Sequence, residues 1–128
     1  MSLRNKQIIE KVNAAFARND VETFLSFCTD EFTWTMVGGK PLKGKQAIRE
    51  WMASAPPEPP KFTVDAVVAD GDFVTAVGDM TMNENGTVVP YAYCDVWRFS
   101  GDRIAELKTF VIKTDRASSE TRVAALSS

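Results

Sequence analysis

The stretch Pro90-Tyr-Ala-Tyr-Cys-Asp-Val-Trp-Arg-Phe99 decides how the chain is read. It reads as a long central strand, and a strand sends alternate side chains to opposite faces. One face then carries Tyr91, Tyr93, Asp95, Trp97 and Phe99, and the other Pro90, Ala92, Cys94, Val96 and Arg98. An acid between two large aromatics on one face is unusual. If that face is buried, Asp95 needs a partner, because an unpaired buried carboxylate is costly or stays protonated.

Working outward from this strand, the C-terminal half is β. Asn83-Glu-Asn85-Gly86 holds an Asn-Gly hairpin signal that joins the central strand, 87–99, to the one before it, 73–82. Gly78 in that preceding strand marks a bulge or a close backbone approach. Asp70-Gly71-Asp72 turns back to a strand over 62–69. Ser100-Gly101-Asp102 leads forward to a last strand over 103–113. Four strands joined by tight turns make a meander. The N-terminal half is helical. Ile8, Ile9, Val12, Ala15 and Phe16 have helical spacing within 3–19. Asn19-Asp20 breaks this helix, and Asp20 caps a second one over 21–28, whose apolar face is Val21, Phe24, Leu25 and Cys28. Phe32, Trp34 and Met36 alternate with Thr33 and Thr35 in a strand ending at Gly38-Gly39. A third helix, 45–54, buries Ala47, Ile48, Trp51 and Met52. The run 55–60, Ala-Pro-Pro-Glu-Pro-Pro, cannot continue it and reads as a semi-rigid connector.

Bulk properties set limits on function. A chain of 128 residues, 45% hydrophobic and 25% charged, is one ordinary globular domain. Residues 1–115 form it, and the small, polar residues 116–128 read as a frayed tail. A net charge of −2 without a basic run gives phosphate neutralisation little to work with, so no nucleic-acid partner is expected. Met-Ser-Leu-Arg-Asn-Lys is followed by no apolar core of a signal peptide, and no stretch approaches the roughly 20 apolar residues of a membrane span. Cys28 and Cys94 sit in apolar periodic segments and read as reduced thiols, so a cytoplasmic location is expected. The sequence has no histidine. That removes the commonest general base, the Ser-His and Cys-His nucleophiles and most zinc sites. The acids are dispersed, so no metal and no cofactor is implied.

Helices followed by consecutive antiparallel strands read as α+β. The order and spacing resemble the nuclear-transport-factor-2-like superfamily, and within it the SnoaL-like polyketide cyclase and ketosteroid isomerase branch. Four segments carry the resemblance: Asn19-Asp20-Val21-Glu22-Thr23-Phe24; Phe27-Cys-Thr-Asp-Glu-Phe-Thr-Trp34; Leu42-Lys-Gly-Lys-Gln-Ala-Ile48 with Trp51; and Asp95-Val-Trp-Arg-Phe99 with Gly101-Asp102-Arg103-Ile104. The resemblance implies a cone: a curved antiparallel sheet wrapped over three N-terminal helices, enclosing an apolar pocket. It also implies a homodimer through the outer sheet face, where Ala92, Cys94 and Val96 are apolar enough to be covered. It gives a residue-level test as well. The isomerases place a catalytic Asp at the end of the first strand, where this chain has Met36. They place an oxyanion-hole Tyr on the first helix, where spacing back from Asp20 gives Val12. Only the oxyanion-hole Asp is kept, as Asp95, so steroid-type isomerisation is excluded. The SnoaL-type cyclases want an Asp with His support. The epoxide hydrolases want an Asp-Arg-Asp set around a water, and this chain offers no second Asp that should face the cavity.

Three residues are candidates for chemistry. Asp95 is either a carboxyl of raised pKa in an apolar pocket, acting as acid, base or ligand anchor, or a structural acid paired with a neighbouring Lys or with backbone. Lys108 shares one face of the last strand with Glu106, Phe110 and Ile112. The resemblance implies that this face points inward and sets Lys108 close to Asp95; the alternative is a solvated Lys. Tyr93 either donates a hydrogen bond to a ligand carbonyl or packs its ring and wets its hydroxyl. Phe16, Trp34, Met36, Trp51, Met52, Trp97, Phe110 and Ile112 are the expected lining. As a set they are more aromatic and sulfur-rich than core packing needs, which suits a small apolar or aromatic metabolite. Three functions compete: binding of such a ligand without chemistry, a lyase, isomerase or cyclase using Asp95, and a non-catalytic dimerisation or interaction module.

Overall fold

The computed structural model describes residues 2–54 and 61–114. The connector expected at 55–60 and the tail expected at 116–128 lie outside the described residues. Helix α1 (Ser2–Ala17) buries Ile9, Val12 and Ala15 on one stripe. Asn19 ends it at φ 58°, with the Asp20 amide donating to the Ala15 carbonyl at 2.9 Å and the Asn19 amide to Phe16 at 3.0 Å. These two hydrogen bonds satisfy carbonyls the helix end would leave orphaned. Asp20 then caps α2 (Val21–Ser26) by accepting from the Thr23 amide at 3.2 Å and the Thr23 hydroxyl at 2.6 Å. Those two bonds hold its carboxyl below the usual carboxylate range.

Helix α2 is shorter than its apolar pattern suggested. Cys28 already opens β1 (Cys28–Met36), because its neighbourhood pairs with Ile104 of the last strand. After a two-residue strand β2 (Leu42–Lys43), which the alternation pattern is too short to reveal, α3 (Lys45–Ala53) follows. The expected strand 62–69 is split into β3 (Lys61–Phe62) and β4 (Ala66–Asp70). Both pair with β5 (Phe73–Glu84), but Phe62 opposes Met80 while Ala66 opposes Val77. One residue more lies on the first side than on the second, the signature of a bulge. β6 (Thr87–Ser100) pairs with β5 along its length through a two-residue Asn85-Gly86 loop, both residues at positive φ, as such hairpins require. β7 (Arg103–Lys113) follows.

The sheet order is β2-β1-β7-β6-β5-β3, with β4 also on β5, so β6 is central. The meander β4-β5-β6-β7 is antiparallel, but β1 lies parallel to β7, making the whole sheet mixed. The α+β architecture read from the sequence holds. The inner face of β6 carries Val89, Tyr93, Trp97 and Phe99, all buried, as alternation from Asp95 required. Against it pack Ile9, Val12, Phe24 and Ile48 of the helices, together with Phe32, Trp34, Val74, Ile104 and Leu107 of the sheet. No helix among the described residues is long and apolar enough to cross a membrane.

Candidate functional site

Strand register builds the site in rows, since residues opposite one another across a sheet share a face. The lower row runs Trp34, Leu107, Trp97 and Val74 across β1, β7, β6 and β5. The next row runs Met36, Thr109, Asp95 and Ala76, and above it come Val111, Tyr93 and Gly78. The lower row is core. Trp97 is fully buried, and the rings of Phe16, Phe24, Trp34 and Trp97 meet at centroid distances of 4.7 to 6.3 Å. Phe16, Trp34 and Trp97 are therefore packed in the core instead of lining a cavity. The Trp97 indole nitrogen is buried and finds no acceptor among the described residues.

Asp95 is half-buried in the row next to this core. Its Oδ1 accepts the Thr109 hydroxyl at 2.9 Å, and the Thr109 oxygen in turn accepts the Trp34 indole N–H at 2.9 Å. Burial raises the Asp95 pKa to about 6, and the Thr109 hydrogen bond offsets part of that rise. No cation acts on the carboxyl among the described residues.

Lys108 does not approach it. Lys108 is in register with Val96 and Thr109 with Asp95, so Lys108 points to the outer face and is exposed. Phe110 and Ile112, 41% and 69% exposed, lie on that outer face too and line nothing inside. The cause is a bulge. Arg98 opposes Glu106 and Phe99 opposes Ile104, which leaves Ala105 without a partner across the strand. Ile104 and Leu107 are consequently both buried, and the alternation along β7 changes phase between them. Thr109 escaped the sequence reading for this reason. The signal that could have found it was the other phase, Leu107-Thr109-Val111.

Tyr93 shares the face of Asp95, but its hydroxyl donates to the Thr63 carbonyl at 2.6 Å. Burial first, then the charges of Asp95, Asp65 and Asp79, push its pKa upward. It is a neutral phenol whose proton is already engaged, so the expected donation to a ligand is not available from it as it stands. Gly78 makes this contact possible. A Cβ there would overlap the Thr63 carbonyl oxygen and lie 3.0 Å from the Tyr93 hydroxyl.

Met36 and Trp51 are 39% and 40% exposed, with the Trp51 ring edge-on to Trp34 at 5.3 Å. Met52 packs half-buried against the core. At the far end of the inner face, Tyr91 donates to Glu84, whose other oxygen is 4.0 Å from Lys113. A separate groove of about 380 Å³ lies between α1 and the bulged segment, lined by Lys6, Glu10, Asn13 and Val64 to Val67, away from Asp95. Cys28 is buried with its pKa pushed up to about 12, and Cys94 is half-buried on the outer side; both are free thiols. Among the described residues no group of His, Cys, Asp and Glu is arranged to hold a metal.

A family model described as a SnoaL-like domain matches residues 9–107. No curated protein matches the sequence. Among solved structures, an NTF2-like protein of unknown function from Cytophaga hutchinsonii is 21% identical, with a TM-score of 0.71 over 84% of this chain and 98% of that one. A cystatin-fold protein from Novosphingobium aromaticivorans is 23% identical, with a TM-score of 0.73 over 85% and 97%. An LEH-like epoxide hydrolase from M. tuberculosis is 15% identical, with a TM-score of 0.76 over 86% and 84%. At these identities the likeness is one of fold.

Proposed function

The chain belongs to the SnoaL-like domain family, and from that premise we propose that it binds a small, flat, mainly apolar molecule at the inner sheet face, with Asp95 as the polar anchor. One observation carries the reading. Asp95 is a half-buried carboxyl between Tyr93 and Trp97, with its pKa raised to about 6 and no cation among the described residues to stabilise its charge. Such a group is costly to the fold, and perturbed groups of this kind cluster at functional sites. Two neighbours support it: Met36, in register with Thr109, and the exposed flank of Trp51, whose ring meets Trp34, offer adaptable apolar and aromatic contact. A pKa near 6 also suits a general acid or base at neutral pH. Catalysis is the second reading, because no other acid or base among the described residues hydrogen-bonds to Asp95.

The test is a thermal-shift and Trp-fluorescence screen with planar aromatic and alicyclic carbonyl compounds. A ligand at a hundredfold excess over its Kd stabilises by about 2.7 kcal/mol, several degrees in Tm for a chain of this size. Asp95→Asn should weaken the response to compounds bearing a polar group, and Trp51→Ala should weaken it for all. A full panel without any shift would sink the binding reading. We also propose that the chain is a homodimer through the outer sheet face, where Val77, Cys94 and Phe110 stand in one row across β5, β6 and β7.

A further inference from the structure

We infer that Thr109 is a positioning residue that makes the Asp95 carboxyl one-sided: it keeps Oδ1 as a permanent acceptor and leaves Oδ2 as the oxygen that takes up and releases the proton. This deepens the reading of Asp95 as the polar anchor and rests on it only for what that proton serves.

The direction of the hydrogen bonds follows from the donors. An indole N–H can only donate, so the Trp34 nitrogen, 2.9 Å from the Thr109 oxygen, occupies one of its lone pairs. Thr109 is buried, so its one hydroxyl proton must find an acceptor inside the fold. Asp95 Oδ1, at 2.9 Å, is that acceptor. A proton on Oδ1 would set two O–H groups against each other, or leave the Thr109 proton unpaired in a buried place. The chain therefore runs one way, from indole to hydroxyl to carboxyl, and a protonated Asp95 carries its proton on Oδ2. From there the proton passes to solvent or to a bound molecule.

The surroundings leave no competing path. On β6, Tyr93 gives its own proton to Thr63, and the acids grouped about Tyr93 are Asp65 and Asp79. Cys94 lies on the opposite face. β5 contributes Ala76, and β1 and β7 contribute Trp34, Met36, Leu107 and Val111, none of which titrates. The helical residues in the core, Ile9, Val12, Phe24 and Ile48, are all apolar. Thr109 is the one neighbour among the described residues that favours the charged form of Asp95.

The experiment is an NMR pH titration of the full chain, labelled with 15N and 13C, from about pH 4 to about pH 8. The Trp34 indole resonance is assigned by its loss in Trp34→Phe, and the Asp95 carboxyl carbon by its loss in Asp95→Asn. In the wild type both should titrate together, with a midpoint of about 6. In Thr109→Val the Asp95 midpoint should rise by about half a unit or more, and the indole should cease to follow it. Thr109→Ser, which keeps the hydroxyl, should restore both. A wild-type indole blind to the Asp95 titration overturns the inference without any variant having to fold. So does an Asp95 midpoint that Thr109→Val leaves unmoved or lowers. No ligand is added, so the two readings fail separately. Coupled titration in a protein that answers no compound removes the binding proposal and supports the relay. Ligand binding with uncoupled titration removes the relay alone.

Discussion

At the scale of the residue, Asp95 couples stability to pH in the opposite sense to an ordinary surface acid. Its folded pKa, about 6, lies above the usual value of 3.8, so the native state holds the proton more tightly than the unfolded chain does. Its contribution to stability is therefore greatest below about pH 4, is lost between about pH 4 and pH 6, and stays lost above that. A displacement of about two units corresponds to roughly 3 kcal/mol at most. Asp95→Asn should thus stabilise the fold at pH 7.5 by about 1–3 kcal/mol and change little at pH 4, measured by urea unfolding at both pH values. A gain in stability paired with weaker ligand response would mark Asp95 as a residue kept for binding. A loss of stability equal at both pH values would mean that the carboxyl is well solvated.

At the scale of the element, two bulges shape the inner face. The one in β7 brings Thr109 under Asp95 and turns Lys108 outward. The one between β3 and β4 presses the Thr63 carbonyl over Gly78, where it accepts the Tyr93 hydroxyl, with the Phe62 ring edge-on to Tyr93 at 6.4 Å. Gly78 is required here for space, since a side chain would meet backbone that cannot swing aside. Gly78→Ala should cost about 1–3 kcal/mol. Tyr93→Phe should cost about 1 kcal/mol, the net worth of one hydrogen bond. The two should be less than additive, because displacing the carbonyl already breaks the bond that the second change removes. Additive losses would show that Gly78 and Tyr93 act separately.

At the scale of the whole molecule, the outer sheet face exposes several large apolar side chains. Phe73, Val77, Phe110 and Ile112 are exposed on it, and Lys108 and the Arg98–Glu106 pair at 3.4 Å stand in rows among them. Apolar side chains exposed beside charged ones are the material of a protein interface, and stable interfaces bury about 800 Å² on each partner. Sedimentation at micromolar concentration should show a dimer, and Phe110→Glu should shift it to monomer with unchanged circular dichroism. A monomeric wild type would count against a second copy on this face.

Much of this was legible in the chain before any coordinates. Period-two alternation put Tyr91, Tyr93, Asp95, Trp97 and Phe99 on one face of β6, because a strand allows only two faces. Asn85-Gly86 named its hairpin, because few residues accept two successive positive φ values. Asp20 named the start of α2, and Gly78 the point of close approach. These are local properties, decided by a residue and its immediate neighbours. What lay beyond reach depended on pairing between distant segments. β1 joins β7 in parallel, β3 parts from β4, and Ala105 bulges out, each through contacts across many residues of sequence. Alternation gives a strand two faces but not which one turns inward, and one extra residue exchanges them. The sequence alone therefore determined that Asp95 stands among aromatics on one face of its strand. Only the tertiary structure decided that its partner is the hydroxyl of Thr109 rather than the ammonium of Lys108, because register, not composition, chooses what lies opposite.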